Sequence, residues 1–341
     1  MAKNSSRPEI LDAADPAQTA AAVERAAALI LSGEAVAIPT ETVYGLAADA
    51  TNERAVAKIF EAKGRPSFNP LIVHVCDIEM ARRHAEFSPL AEKLAKSFWP
   101  GPLTLVLPRK EDCGLSLLVS AGLDTVALRA PKNFIARRLI DMCGRPLAAP
   151  SANRSGTISP TSAEHVRESL GDRIRLILDG GACPVGVEST IVRIDGDRAI
   201  LLRPGGVARN VIEDAIGKPL EAPATGKIEA PGMLESHYAP RARLRLNVET
   251  PRPDEAFLGF GPIMATGEAA FNLSEKGDLV EAAARLFAHL RAADRAVSAT
   301  GLAGIAVAPI PTNGLGEAIN DRLARAAAPK NQRGFRNRNA N

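Results

Sequence analysis

Residues 37–75 read AIPTETVYGLAADATNERAVAKIFEAKGRPSFNPLIVHV. This stretch gathers Pro39, Thr40, Thr42, Tyr44, Lys63, Arg65, Asn69 and His74, and its rhythm is strand, turn, helix, basic loop, strand. The run Ala35 to Ile38 is a short buried strand closed by Pro39. Asn52 is placed to cap a helix whose apolar positions Ala55, Val56, Ile59 and Phe60 fall three and four apart. The helix stops at Lys63-Gly64, where glycine supplies the usual exit. A loop with two prolines follows, and LIVHV is the next strand. Polar residues thus collect at two strand–loop junctions, where open α/β sheets bind ligands.

Working outward, 341 residues exceed one ordinary core, so two domains are expected. Hydrophobic content of 46% and charged content of 24% fit a soluble globular chain. The net charge of +3 is concentrated at the end: KNQRGFRNRNAN (330–341) holds four basic and no acidic residues. Without this tail the two signs nearly balance, which argues against strong nonspecific nucleic-acid binding by the folded body. The tail reads as disordered, with weak RNA contact as a second option. Cys76, Cys113, Cys143 and Cys183 form no CxxC pair, so neither a zinc site nor a redox pair is indicated; free thiols in a reducing compartment are expected. The N-terminus lacks a signal-peptide core, and no apolar run approaches the ~20 residues that span a bilayer. A cytoplasmic protein is expected.

Before the opening stretch, Asp15-Pro16 starts a helix that ends at Gly33. After it come the helix LAEKLAKSF, the strands LTLVLP and TVALRAP, the helix NFIARRLIDMCG and the strand PLAAP. TSAEHVRESLG is a helix with Ser162 at its cap; RLILDGG, STIVRID and AILLRP are strands; ARNVIEDAIG closes a unit near residue 217. Helices alternate with strands, then strands follow one another, so a mixed α/β sheet is expected over 12–217. Residues 218–240 are rich in Pro, Ala and Gly and read as a linker. Residues 241–329 hold strand candidates RARLRLNV, EAFLGF and GIAVAPI and the helices GDLVEAAARLFAHLRAADRAV and GLGEAINDRLARAA, a smaller α/β domain.

No Walker A pattern, GxGxxG or HExxH occurs. A nucleotide would need a site of scattered side chains. Lys63 and Arg65 flank a glycine and could converge on one polyanion, although spacing alone favours a solvated basic loop outside the core. Ser151 and Asn153 alternate on extended backbone and could meet one ligand, or cap a local turn. Glu188-Ser189-Thr190 follows a glycine-bearing run, and Arg203 ends a strand before Pro-Gly-Gly; a phosphate clamp and a surface arginine are both open. His74 and Tyr44 alone read as structural.

PTETVYGL, KGRP, NPLIVH, SAN, GVESTIV and LLRPGG, in this order, resemble the YrdC-like domain of threonylcarbamoyl-AMP synthases. PGMLESHYAP and GLGEAINDRLARAA resemble the linker and C-terminal helix of the two-domain form, so the similarity spans about 12–328. The resemblance implies a YrdC-like twisted mixed sheet with flanking helices and a Rossmann-like second domain. It implies formation of threonylcarbamoyl-AMP and pyrophosphate from L-threonine, bicarbonate or CO2 and ATP, with Mg2+ on the phosphates, for tRNA modification. It places threonine near Thr42, His74, Arg129, Ser151 and Ser189. It places ATP near Arg65, Asn69, Thr125, Asn153, Thr161, Arg203 and Tyr238; a linker of this length can fold back as a lid to bring Tyr238 there, the alternative being that Tyr238 packs between the domains. Lys63, Arg65, Ser151 and Asn153 would carry catalysis, and no resident metal site is implied. Downstream tRNA threonylcarbamoyl-transfer proteins would receive the product. Ala47 departs from the family's second glycine, and Leu234-Glu235-Ser236 from its more basic linker. Two alternatives stay in view. One is carbamoyl-adenylate formation of the hydrogenase-maturation type, whose zinc-binding cysteine motifs are missing here. The other is an RNA-binding or ribosome-assembly module without ATP turnover.

Overall fold

The computed structural model describes residues 7–66, 68–224, 229–233, 235–262 and 269–329. The basic tail and Leu234 lie outside them. The first unit runs β1 (Glu9–Asp12), α1 (Pro16–Leu31), β2 (Val36–Ile38), β3 (Gly45–Asp49), α2 (Glu53–Lys63), β4 (Ile72–His74), α3 (Ile78–Arg82), α4 (Pro89–Phe98), β5 (Leu103–Pro108), α5 (Leu117–Ser120), β6 (Thr125–Arg129), α6 (Phe134–Cys143), β7 (Leu147–Ala148), α7 (Ala163–Leu170), β8 (Leu176–Asp179), β9 (Thr190–Asp195), β10 (Arg198–Arg203) and α8 (Arg209–Ile216). The second holds β11 (Leu244–Arg245), β12 (Glu255–Gly259), β13 (Ala270–Asn272), α9 (Leu279–Thr300), β14 (Gly304–Val307) and α10 (Gly316–Ala327).

Local chemistry sets the helix ends. Asp15 accepts from the Ala17 amide and Pro16 opens α1, while Asn52 accepts from the Ala55 amide to start α2. Gly64 ends α2 in the left-handed region at φ 59°, where a side chain would be strained.

The strands of the first unit form one mixed sheet in the order β1-β8-β2-β3-β7-β4-β6-β5-β9-β10. β4 and β6 are parallel, and β2–β3 and β5–β6 antiparallel. β2, β3 and β4 are buried throughout, as expected of strands covered on both faces. β3 has no clear strand signal in the sequence: Leu46-Ala47-Ala48 is apolar but alanine-rich, and pairing with β2 and β7 overrides its weak propensity. Ala47 is fully buried in it. The second unit is a parallel sheet ordered β11-β14-β12-β13 with α9 and α10 against it.

The two units share apolar packing. Val43, Ile158 and Val187 of the first join Phe257, Leu286 and Phe287 of the second in one cluster that includes Tyr238 of the linker. Gly186 makes this approach possible: a β-carbon there would run into the backbone of Ala283 and Ala284 on α9. Half-exposed ion pairs Arg209–Glu317 (2.6 Å) and Arg295–Glu168 (3.0 Å) rim the junction. No helix among the described residues is long and apolar enough to cross a membrane.

Candidate active site

The turn between β2 and β3 is tied by Thr40, whose hydroxyl accepts from the Thr42 amide and donates to the Val43 carbonyl at 2.6 Å. This fixes Thr42, whose hydroxyl accepts from Arg129 Nη1 at 2.9 Å. Arg129 Nη2 lies 2.6 Å from Glu41, and Nε donates to the Gly101 carbonyl at 3.2 Å. Burial alone would raise the Glu41 carboxyl, but the Arg129 guanidinium outweighs it and holds the group below the usual carboxylate range. Cross-strand register sets His74 directly beside Arg129. Burial, helped by Arg129, pushes His74 down to about 3, so the ring is neutral, and its Nδ1 has no hydrogen-bond partner. Thr104 on β5 meets Ser189 hydroxyl to hydroxyl at 2.7 Å, because β5 and β9 pair in parallel.

Three cations occupy the other side. Lys63 is the last residue of α2, and its ammonium donates to the backbone carbonyls of Ser151 and Asn153, the latter at 2.6 Å. Arg65 donates to the carbonyls of Asn69 (3.2 Å) and Pro70 (2.9 Å). Arg203 donates to the carbonyls of Ser189 (2.8 Å) and Pro231 (3.1 Å). All three are buried, contrary to the solvated loop that spacing favoured for Lys63 and Arg65. The helix turn and the following prolines fold them inward instead of letting them extend. Burial lowers all three pKa values, Arg65 to about 10, with Arg65 adding to the effect on Lys63.

The linker closes the space between the two sides. Gly232 lies against Arg203 and the Tyr238 hydroxyl, and Arg203 meets Pro231. Tyr238 adopts a left-handed backbone at φ 60°, unusual for a bulky residue, and its ring packs on His237 at 4.0 Å and Phe287 at 5.6 Å. Its hydroxyl is buried without a partner. What remains is a cavity of about 40 Å³ bordered by Thr42, His74, Arg129, Ser151, Arg203 and Tyr238.

Most residues singled out in the sequence therefore converge. Thr42, His74, Arg129, Ser151, Ser189, Arg65, Arg203 and Tyr238 border the cavity; Lys63, Asn69 and Asn153 brace its wall. Both side-chain polar atoms of Asn69, and Oδ1 of Asn153, are buried without partners. Two candidates stand apart. Thr125 borders a separate cleft with Asp124, Arg193 and Glu229, and the Thr161 hydroxyl pairs with His165 at 3.3 Å. Among the described residues no cluster of three potential metal ligands occurs. The sequence reading passed over Glu41, Thr104, His237 and Arg322. A lone threonine inside LTLVLP, and an arginine three residues after Ile319 on the apolar face of a helix, were the available signals.

A family model described as "Telomere recombination" matches residues 28–205, and one described as "Threonylcarbamoyl-AMP synthase, C-terminal domain" matches 207–328. The threonylcarbamoyl-AMP synthase of Pyrococcus abyssi is 45% identical over 322 residues, covering 89% of this chain and 93% of that protein. That of Bacillus subtilis is 51% identical over 230 residues, 66% of each chain. The solved structure of the P. abyssi Sua5 protein complexed with L-threonine superposes with a TM-score of 0.81 at 41% identity, covering 89% of this chain and 94% of that one. The six motifs, the mixed sheet with its appended parallel sheet and these matches agree: the chain belongs to the threonylcarbamoyl-AMP synthase family, in its two-domain form.

Proposed function

We propose that this protein is an L-threonylcarbamoyladenylate synthase, a nucleotidyltransferase that joins L-threonine, bicarbonate or CO2 and MgATP into threonylcarbamoyl-AMP and pyrophosphate. The observation that carries the reading is the pairing of a preorganised arginine with three buried cations around one cavity. Arg129, held by Glu41 and Thr42, suits a carboxylate, and hydroxyls of Thr42, Ser151 and Ser189 suit the polar end of threonine. The relative solved with L-threonine supports that choice. Among the described residues Lys63 and Arg65 donate to backbone carbonyls, and Arg203 to carbonyls and, at 3.4 Å, to the Ser189 hydroxyl; phosphate oxygens would be stronger acceptors.

In the reaction, the threonine amine adds to CO2 and loses a proton to give a carbamate. A carbamate oxygen then attacks the α-phosphorus, and the bond to the bridging oxygen breaks to release pyrophosphate. Two anions must meet, so cations and exclusion of water do the work, and no nucleophilic side chain is needed. Mg2+ would enter as part of MgATP, carried mainly by the phosphates, as such ions commonly are. A nucleotide does not fit about 40 Å³, so Pro231–Gly232 and Tyr238 must shift to admit it and then close over the adenylate. The labile product would pass to tRNA threonylcarbamoyl-transfer proteins. The test is pyrophosphate release from MgATP. It should require both L-threonine and bicarbonate; release that ignores either one would refute the assignment.

A further inference from the structure

Arg322 lies on α10 of the second unit, yet it ends inside the first. It is 1% exposed. Its Nε donates to Glu188 Oε2 at 2.9 Å and its Nη1 to the Pro204 carbonyl at 2.6 Å and to Asp321 at 2.9 Å. Its guanidinium carbon lies 5.4 Å from the centre of the Tyr238 ring. Asp321 is its neighbour on α10; the other three contacts lead to the cation side of the cavity. Glu188, whose other oxygen accepts from Ser159 at 2.5 Å, immediately precedes Ser189, and the Ser189 carbonyl accepts from Arg203. Pro204 immediately follows Arg203. One guanidinium thus fixes the backbone before Ser189, the backbone after Arg203 and the ring that closes the cavity.

We infer that Arg322 is a positioning residue for the nucleotide: through Glu188, Pro204 and Tyr238 it sets Arg203 and the linker, which makes the C-terminal unit part of the active site. This rests on the adenylate-synthase reading above. Docking of the two units alone does not call for it. Apolar packing and the rim pairs already join them, and a buried ion pair is on average no better for stability than well-packed aliphatic side chains. What a guanidinium adds is a planar fork able to serve several acceptors and a ring face together, which a lysine cannot do. The other side of the cavity meets it only through the backbone of Ser189 and is otherwise held by other groups among the described residues. Glu41, Thr42, His74 and Arg129 are held by one another and by Gly101, and the Ser189 hydroxyl is held by Thr104.

The role therefore predicts an asymmetry that general loosening would not give. Dissociation constants for MgATP and for L-threonine are measured calorimetrically on the full chain, beside thermal melts, for wild type, Arg322→Lys and the double variant Arg322→Met with Glu188→Gln, which leaves no lone buried charge. Both variants should melt well above the assay temperature. MgATP should bind about tenfold more weakly, as expected for loss of charge-assisted hydrogen bonds, and L-threonine within about twofold of wild type. Unchanged MgATP binding, or parallel weakening of both ligands, overturns the inference. So does unfolding of both variants before ligand is added, which would leave Arg322 with fold stability alone. Wild-type protein that fails to bind MgATP sinks the underlying reading first, and that result is visible before any substitution is made.

Discussion

Arg129 and Arg203 are both buried arginines at strand ends, both face one cavity, and they are held in opposite ways. Arg129 has a carboxylate at 2.6 Å, a hydroxyl and a carbonyl, so its charge is neutralised within the protein. Arg203 has carbonyls and a long contact to the Ser189 hydroxyl but no carboxylate bonded to it among the described residues, and its Nε is buried without an acceptor. Lys63 and Arg65 resemble Arg203 in this. One side is finished before a ligand arrives: it can orient a small amino acid through geometry, with little net charge. The other side stores positive charge in a low-dielectric place, where it is worth most to a polyanion and costs most without one. The linker covers that second side, which deepens its burial and so raises both the cost without a polyanion and the gain with one.

The largest effect expected from this difference is on stability. Arg129→Ala would leave Glu41 as a buried, unpaired carboxylate, and such a broken pair costs about 3–5 kcal/mol. Glu41→Gln with Arg129→Met should recover much of this while L-threonine binding stays lost. Urea unfolding of the single and double variants measures both parts. If Arg129→Ala is as stable as wild type, the finished side is not held by this pair.

The cation side should respond in rate. Arg65→Ala removes a donor to two carbonyls and, among the described residues, breaks no carboxylate pair, so it should cost less stability than Arg129→Ala. Turnover should fall by about 2–4 kcal/mol in activation free energy if the guanidinium stabilises charge in the transition state. Steady-state pyrophosphate release beside a urea melt separates the two. A large stability loss with near-normal turnover would assign Arg65 to the same class as Arg129 and dissolve the contrast.

The contrast also explains what the sequence could show. Lys63, Arg65, Ser151, Asn153 and Arg203 lie where strands and helices end in glycine- and proline-bearing loops, and such junctions are local features. Glu41 and Thr104 gain meaning only through pairing of distant segments: β6 brings Arg129 to Glu41, and β5 beside β9 brings Thr104 to Ser189. Arg322 depends on a contact between domains. The insertion of β8 between β1 and β2 is likewise invisible locally, since nothing in Leu176–Asp179 marks which neighbours it will take. Thr125 shows the converse. It shares a strand face with Arg129 by the period of two, but four residues of strand, roughly 13 Å, carry it to another cleft.

Acid should weaken the fold with a defined sign. His74 and His237 are held neutral near 3 by burial, against about 6.5 when unfolded. Between those values the unfolded chain binds more protons, so the contribution is complete above about pH 6.5 and is lost as pH falls toward 3. The limiting slope is about 1.4 kcal/mol per pH unit for each ring. His74→Gln should reduce the slope of unfolding free energy against pH by one proton's share. Since His74 belongs to the finished side and His237 to the linker, His237→Gln should give a similar reduction only if the linker stays seated in the unliganded protein. A wild-type slope after His237→Gln would mean that His237 is already solvated and the linker open.

The smallest effect tests the seam between the two sides. Ser189 is tied to both: its hydroxyl meets Thr104 at 2.7 Å and lies 3.4 Å from Arg203 Nη2. Thr104 is fully buried, and valine nearly matches its shape. Thr104→Val therefore removes one neutral hydrogen bond without opening a cavity, a change of about 1 kcal/mol. Freed from Thr104, the Ser189 hydroxyl can turn toward Arg203, so the side with spare donors should capture it. L-threonine should then bind several-fold more weakly, because a hydroxyl has left its side of the cavity. MgATP binding should move little, because one added neutral acceptor competes poorly with phosphate for a guanidinium. Calorimetric titration of both ligands decides the matter. Equal losses for the two would show that Ser189 serves the cavity as a whole, and that the division between a finished side and a charged side does not extend to the residue where they meet.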